Sequence, residues 1–238
     1  MRRHEELAAL LEGMGASFIG FADVAGKAEG SFQNLPYAVS VGIRLSDSIV
    51  DEISDQPTFT YFHHYRSVNA FLDQLTLRGL VYIQRQGFNA VAVPASQTVN
   101  DGAGPYRGVF PHKTAAVRAG LGRIGKNGLF LHRLYGPRVR IATILTDMEL
   151  PFAQPLQDPG CGSCRRCVDA CPALALTGGE WHEGAEREEL VDAKACSEYM
   201  NRHFKQIGRG SVCGICMRVC PRYGKDPVSE DIIPDRST

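Results

Sequence analysis

Eight cysteines fall between residues 161 and 220, and none precedes them. Cys161, Cys164, Cys167 and Cys171, followed by Pro172, have the spacing C-x2-C-x2-C-x3-C-P, and Cys213, Cys216 and Cys220, followed by Pro221, repeat C-x2-C-x3-C-P. At this spacing three thiolates hold one 4Fe-4S cluster and the fourth reaches a second one. Cys196 supplies the missing member. The expected ligand sets are Cys161, Cys164, Cys167 and Cys220 on one cluster, and Cys171, Cys196, Cys213 and Cys216 on the other. Zinc would need only four soft ligands and would not call for the C-P endings. A disulfide framework would leave the first 160 residues unstapled, so reduced, metal-bound cysteine in a cytoplasmic setting is the expectation. Two neighbouring clusters also make an electron path, which a structural role alone does not require.

A second concentration of chemistry lies upstream. From Gly102 to Thr146 there are eight Lys or Arg residues and no Asp or Glu, against seven basic and eleven acidic residues over 1–101. Within this basic stretch Gly120, Gly122 and Gly125 satisfy G-x-G-x-x-G. That pattern means dinucleotide binding only where a strand precedes it and a helix follows. Here the helical pattern HKTAAVRAGL leads in and the strand-like LFLH leads out, so nicotinamide binding is rejected. Two readings remain for the segment. Either the glycines simply turn the chain with Arg123 and Lys126 solvated, or the amides and cations hold an anionic or amide-rich cofactor at a domain interface. His112 and Lys113, at the start of the helical pattern, can present a donor or bind a phosphate. His63, His64, Tyr65 and Arg66 form another group, whose adjacent members cannot share one helix face. Trp181 and His182 read as packing around the clusters. Arg165, Arg166 and Arg218 flank ligands, where positive charge would raise a cluster's potential or dock an electron donor.

These groups need elements to hold them. Leu7, Leu10, Leu11 and Met14 recur at helical spacing over Glu5–Met14. Ser17–Asp23 and Tyr37–Leu45 are β-rich, and the second is apolar enough to be an inner strand. Phe59–Gln86 has no proline and predicts a long helix, with Gly79 as a possible bend. Asn89–Ser96, Leu129–His132 and Val139–Thr146 predict further strands, with a Gly- and Pro-rich loop at Val99–Phe110 and a helix at His112–Leu121. Three prolines between Pro151 and Pro159 mark a linker. The expected class is α+β: an α/β domain over residues 1–150, then a small bi-cluster ferredoxin-like domain over 151–238. Lys plus Arg and Asp plus Glu balance at 26 each, so no global field draws the chain to nucleic acid or an anionic membrane. No stretch approaches the ~20 apolar residues of a membrane span.

The segments HKTAAVRAGLGRIGKNG (112–128), ILTD (144–147) and CGSCRRCVDACPALAL (161–176) resemble the epoxyqueuosine reductase family, and most of all its short double-cluster relatives. The resemblance implies an N-terminal domain of cobalamin-binding type packed on a double 4Fe-4S domain, with electrons from a ferredoxin or flavodoxin reaching the cobalamin. It implies reduction of a small-molecule or nucleoside-type substrate, with Gly120, Gly122, Arg123, Gly125 and Lys126, and His112 and Lys113 before them, on the cofactor. In the register of the family's aspartate proton donor this chain has Tyr106, and a shifted loop would offer Asp101 instead, with His112 as a further candidate. The family's C-terminal helical-repeat region, which helps grip tRNA, has no counterpart before Thr238, so tRNA is not the expected partner. Two other classes remain: a ferredoxin-like carrier or redox adaptor without a substrate site, and a flavin or nucleotide reductase using the same basic pocket.

Overall fold

The computed structural model describes residues 2–28, 30–99, 106–157, 159–210 and 212–222. Four strands form an antiparallel sheet in the order β1-β2-β6-β3, with β1 at Phe18–Asp23, β2 at Tyr37–Arg44, β3 at Ala90–Val93 and β6 at Val139–Thr146. A separate hairpin pairs β4 (Gly122–Ile124) with β5 (Phe130–His132). The mixed helix and sheet class is the expected one, and within it every strand pair named here is antiparallel.

The near-continuous apolar run of β2 has a physical reason. β2 and β6 are the inner strands, and both of their faces are covered. On one face lie α1 (Arg3–Gly13) and the long α3 (Phe59–Arg85), and on the other lies α4 (His112–Arg118). Alternation then sorts the residues. Val39 and Val41, opposite Ile144 and Ala142, pack with Leu7, Leu11, Leu72 and Leu75 on the α3 side. Ala38, opposite Leu145, joins Phe18, Ala115 and Ala116 on the α4 side.

Helix α3 starts where Thr58 accepts a hydrogen bond from the Tyr61 N–H at 3.0 Å. It runs unbroken through Gly79. A Cβ there would come within 2.4 Å of Ile144 Cδ1, so the glycine permits close approach of helix to sheet and not a bend. A short helix α2 (Asp47–Asp51) leads into it. The cysteine-bearing part carries little regular structure: α5 (Arg166–Asp169), α6 (Ala193–His203), α7 (Lys205–Gly208) and α8 (Ile215–Arg218). Its apolar side chains are not a separate island. Phe204, Val212, Ile215 and Met217 belong to the same buried cluster as α3 and β2. No helix among the described residues is long and apolar enough to cross a membrane.

Leu72, fully buried between α3 and the sheet, gives a direct test of this packing. Leu72→Ala should lower unfolding stability by about 2–5 kcal/mol through lost burial and the cavity left behind. Urea denaturation of the anaerobic protein measures this, and a loss under about 0.5 kcal/mol would contradict the assigned packing.

Candidate functional site

The eight thiols sort into two groups. Cys161, Cys164, Cys167 and Cys220 line one small cavity of about 40 Å³. Cys220 therefore stands with the first motif and not with its own. The remaining four interact with one another: Cys171 bears on Cys196, both of these bear on Cys213, and all three bear on Cys216. Cys167 also acts on Cys216, so the groups are neighbours, and α5 packs on α8 between them. Removal from water, and then the crowding of like charges, raises the Cys213 and Cys220 thiols to about 11. Among the described residues no three Cys, His, Asp or Glu side chains converge on a single point as ligands of one ion do. The thiols surround a space instead. Gly214, at φ +86°, sets the turn before α8, and a Cβ there would lie 3.1 Å from the Tyr61 ring.

Beside the first thiol group sits a charged cage that the glycine-rich segment supplies. Arg123, on β4, donates to Cys161 Sγ at 3.4 Å and to Glu180 Oε2 at 3.1 Å. Lys126 donates to the Gly162 carbonyl at 2.6 Å and lies 3.6 Å from Glu180 Oε1. Burial works against the Glu180 carboxylate, but the Cys161 N–H, Arg123 and Lys126 outweigh it and hold its pKa low. The glycines serve packing. At Gly122 a Cβ would meet the Leu131 carbonyl oxygen at 2.1 Å, at Gly125 Leu131 Cδ1 at 2.7 Å, and at Gly120, with φ +67°, the Gln154 carbonyl oxygen at 2.8 Å. Gly120 turns the chain between α4 and β4, and Gly122 and Gly125 fit the tightly packed hairpin that follows. The sequence reading placed Arg123 and Lys126 on an anionic cofactor, whereas they face the first thiol group and its loop.

Apart from this cage, the structure has a cavity of about 850 Å³. Its walls come from the end of β3, the segment Tyr106–Phe110, the start of α4, β6, and the thiol-bearing residues Cys213 and Cys216. None of Gly120, Gly122, Arg123, Gly125 or Lys126 lines it. His112 does, but both of its ring nitrogens are engaged, with Thr143 Oγ1 at 2.9 Å and the Pro94 carbonyl at 3.0 Å. It ties α4 to β6 and to the end of β3, so it is held as a neutral tether and not poised as an acid. Lys113 reaches the Gly128 carbonyl at 2.6 Å, and the surrounding protein, with Arg187 second, lowers its pKa to about 8. Tyr106 sits at the rim, 38 % exposed, with φ +61°, a conformation a tyrosine rarely takes. Asp101 lies outside the described residues.

Tyr65, from the His63–Arg66 group, meets in this cavity a residue that the sequence did not single out. The Arg140 guanidinium lies over the Tyr65 ring at 4.6 Å, with Nη2 3.5 Å from the Tyr65 hydroxyl. Ser96 Oγ is 3.1 Å from the same hydroxyl, and Asn69 accepts from Arg140 Nε at 2.9 Å. Burial alone would raise the Tyr65 pKa, but Arg140, Ser96 and Asn69 together bring it below the ordinary value. One helical turn earlier, Tyr61 is pushed the other way by burial. Of the His63–Arg66 group only Tyr65 enters the cavity. His64 accepts from the Ser46 N–H at 3.1 Å, and His63 and Arg66 are exposed. The i, i+4 spacing of Tyr61 and Tyr65 was visible in the sequence, but their partner Arg140 is brought in only by the β2–β6 pairing.

Two neighbouring groups of four thiols, one of them bordering a large mixed polar and apolar cavity, define an iron–sulfur protein with a binding chamber. Residues 160–222 match the family described as the 4Fe-4S double cluster binding domain. The chain is similar to the epoxyqueuosine reductase of Lactococcus garvieae, at 35 % identity over 127 residues, which is 50 % of this chain and 33 % of the relative. It is also similar to the tetrachloroethene reductive dehalogenase of Desulfitobacterium hafniense, at 33 % identity over 44 % of this chain and 21 % of the relative. The chain thus spans about a third or less of the length of these curated relatives. In fold it matches a reductive dehalogenase whose structure suggests a mechanism for B12-dependent dehalogenation. The TM-score is 0.70 and the identity 22 %, covering 94 % of this chain and 32 % of that one.

The Tyr65 environment predicts a titration. One tyrosine should ionise below the usual range near 10. Ultraviolet absorbance against pH should lose that step in Tyr65→Phe and move it upward in Arg140→Gln. The sign for stability follows from linkage. Because the folded-state pKa is depressed, the wild type should gain stability over Tyr65→Phe as pH rises from that folded pKa to about 10. An unchanged titration in Arg140→Gln would contradict the assignment.

Proposed function

We propose that this chain is a cobalamin-linked iron–sulfur reductase acting on a small or nucleoside-type substrate, with two 4Fe-4S clusters and an external electron donor such as a ferredoxin or flavodoxin. The observation that carries the reading is the 850 Å³ cavity bounded by Cys213 and Cys216 on one side and by Tyr65 and Arg140 on another. Its volume is that of a cofactor or ligand site, about 300–1,000 Å³. A carrier that only relayed electrons would have no use for such a chamber, which disfavours the adaptor reading. In this reading residues 1–150 supply most of the chamber and residues 151–238 the clusters, with the chamber between them.

The residues present suit a corrinoid. Leu45, Val139 and Ile141 offer apolar walls, while Ser96, Gln97 and Lys113 offer hydrogen bonds to amide side chains. Cys161, Cys164, Cys167 and Cys220 would hold the outer cluster, and Cys171, Cys196, Cys213 and Cys216 the cluster next to the chamber. When bound, the clusters supply single electrons and the cobalamin a cobalt centre able to reduce a carbon substrate. Everything else falls to the protein. Arg140 keeps the Tyr65 phenol acidic enough to release its proton, and that proton goes to the product carbon. Arg140 and Ser96 stabilise the phenolate that remains. Tyr106, at the rim, closes over the substrate. Lys113 and Arg187 give the chamber a positive border suited to anionic groups. The relatives point to a nucleoside in modified RNA or to an organohalide as model substrates, and the chamber accommodates either class.

Anaerobic protein reconstituted with iron and sulfide should bind cobalamin with a change in its visible spectrum, and absence of binding at micromolar cofactor would remove the reading. With a model substrate, Tyr65→Phe should lower turnover by about 10²–10⁴ while leaving cobalamin affinity unchanged. Tyr106→Phe should cost far less. Reversed magnitudes for the two variants would return the proton donor to the loop.

A further inference from the structure

Two cations next to the cysteines in sequence, Arg165 and Arg218, pair with carboxylates instead of sulfur. Arg165, with its side chain 55 % exposed, pairs with Asp169 at 3.7 Å, and Arg218 lies 3.3 Å from Asp51. Arg123 comes from the β4–β5 hairpin, which is 38 positions before Cys161 in the chain. Its side chain is only 11 % exposed, and it donates both to Cys161 Sγ and to Glu180. Glu180 in turn accepts from the Cys161 N–H at 3.2 Å and lies 3.6 Å from Lys126. One thiol of the first group thus sits beside a fixed guanidinium and its carboxylate anchor, both tied to the same cysteine.

Resting on the two-cluster reading above, we propose that Arg123, anchored by Glu180, raises the reduction potential of the cluster held by Cys161, Cys164, Cys167 and Cys220 and leaves the other cluster unaffected. The physical basis is charge. Reduction adds one electron to the cluster, breaks no bond, and makes the cluster and its thiolates more negative by one unit. A hydrogen bond from a permanently charged guanidinium to a ligand sulfur favours that reduced form. The Arg123 side chain is largely shielded from solvent, so its effect is weakly screened. Glu180 has two opposed actions. It holds Arg123 in place, and its own negative charge offsets part of the gain. The two residues therefore carry opposite signs, which mere structural support of the loop would not produce.

The test is a redox titration of the full chain, reconstituted anaerobically with iron and sulfide. Dithionite with mediators is the reductant, and the signal is followed by absorbance and electron paramagnetic resonance. The wild type should give two waves. Arg123→Gln should make one cluster harder to reduce by about tenfold in its reduction equilibrium, or ~59 mV for one electron, with the second wave in place. Glu180→Gln should move the same wave in the opposite direction, and Arg123→Lys should restore most of the wild-type position. The proposal is overturned if Arg123→Gln leaves both waves of an iron-replete protein where they were. It is equally overturned if the substitutions displace both waves together. Should Arg123→Gln fail to take up iron, the Glu180→Gln result decides alone, an upward shift supporting the proposal and a stationary wave ending it. A wild type with one wave and half the iron would instead overturn the two-cluster reading.

Discussion

Cys220 stands across from its own motif. It closes a small cavity with Cys161, Cys164 and Cys167, while Cys171, the last cysteine of the first motif, stands with Cys196, Cys213 and Cys216. This exchange can occur only if α5 and α8 lie side by side, as they do. It also links the chain over more than fifty residues, so neither motif can complete its group without the other. The segment has few hydrogen-bonded elements, and beyond the thiols its ties to the rest are apolar contacts such as those of Phe204, Ile215 and Met217. The thiols, once they share a metal centre, supply the cohesion that a larger core would give.

The rest of the molecule orients these thiols towards a chamber. Tyr61 and Tyr65 lie one turn apart on the same helix face that Leu72 and Leu75 anchor in the sheet. Tyr61 packs on the Gly214 turn before α8, and Tyr65 looks into the cavity. A single rigid helix therefore fixes both the thiol-bearing loop and the group with the altered acidity. The charged cage of Arg123, Lys126 and Glu180 does not line the chamber. The positive charge of the central segment is thereby distributed between two tasks.

Much of this was legible in the residues. The thiol groups follow from spacing alone, because the ligand pattern is local and its cross-over is a property of the motif. The inner position of β2 follows from its apolar run, and the extent of α3 from the proline-free run Phe59–Gln86. The glycine-rich segment was legible in part. Its order of helix before strand excluded a dinucleotide turn, yet the same glycines suggested a cofactor cradle, whereas Leu131 and Gln154 explain them by contact. Long-range pairings were out of reach. Nothing local says that Arg140 will meet Tyr65, or Arg123 Cys161, because both meetings depend on strand register and hairpin placement. His112 drew notice from its place at the start of a helix, and its two partners, Thr143 on β6 and Pro94 just after β3, come from far off in sequence.

All of these relations assume that the two thiol groups each surround a cubane. Iron, acid-labile sulfide and zinc, measured together with protein on one anaerobically purified sample, address this most directly. Two complete clusters correspond to about eight irons and eight sulfides per chain with negligible zinc. About four irons, or stoichiometric zinc without sulfide, would contradict the account.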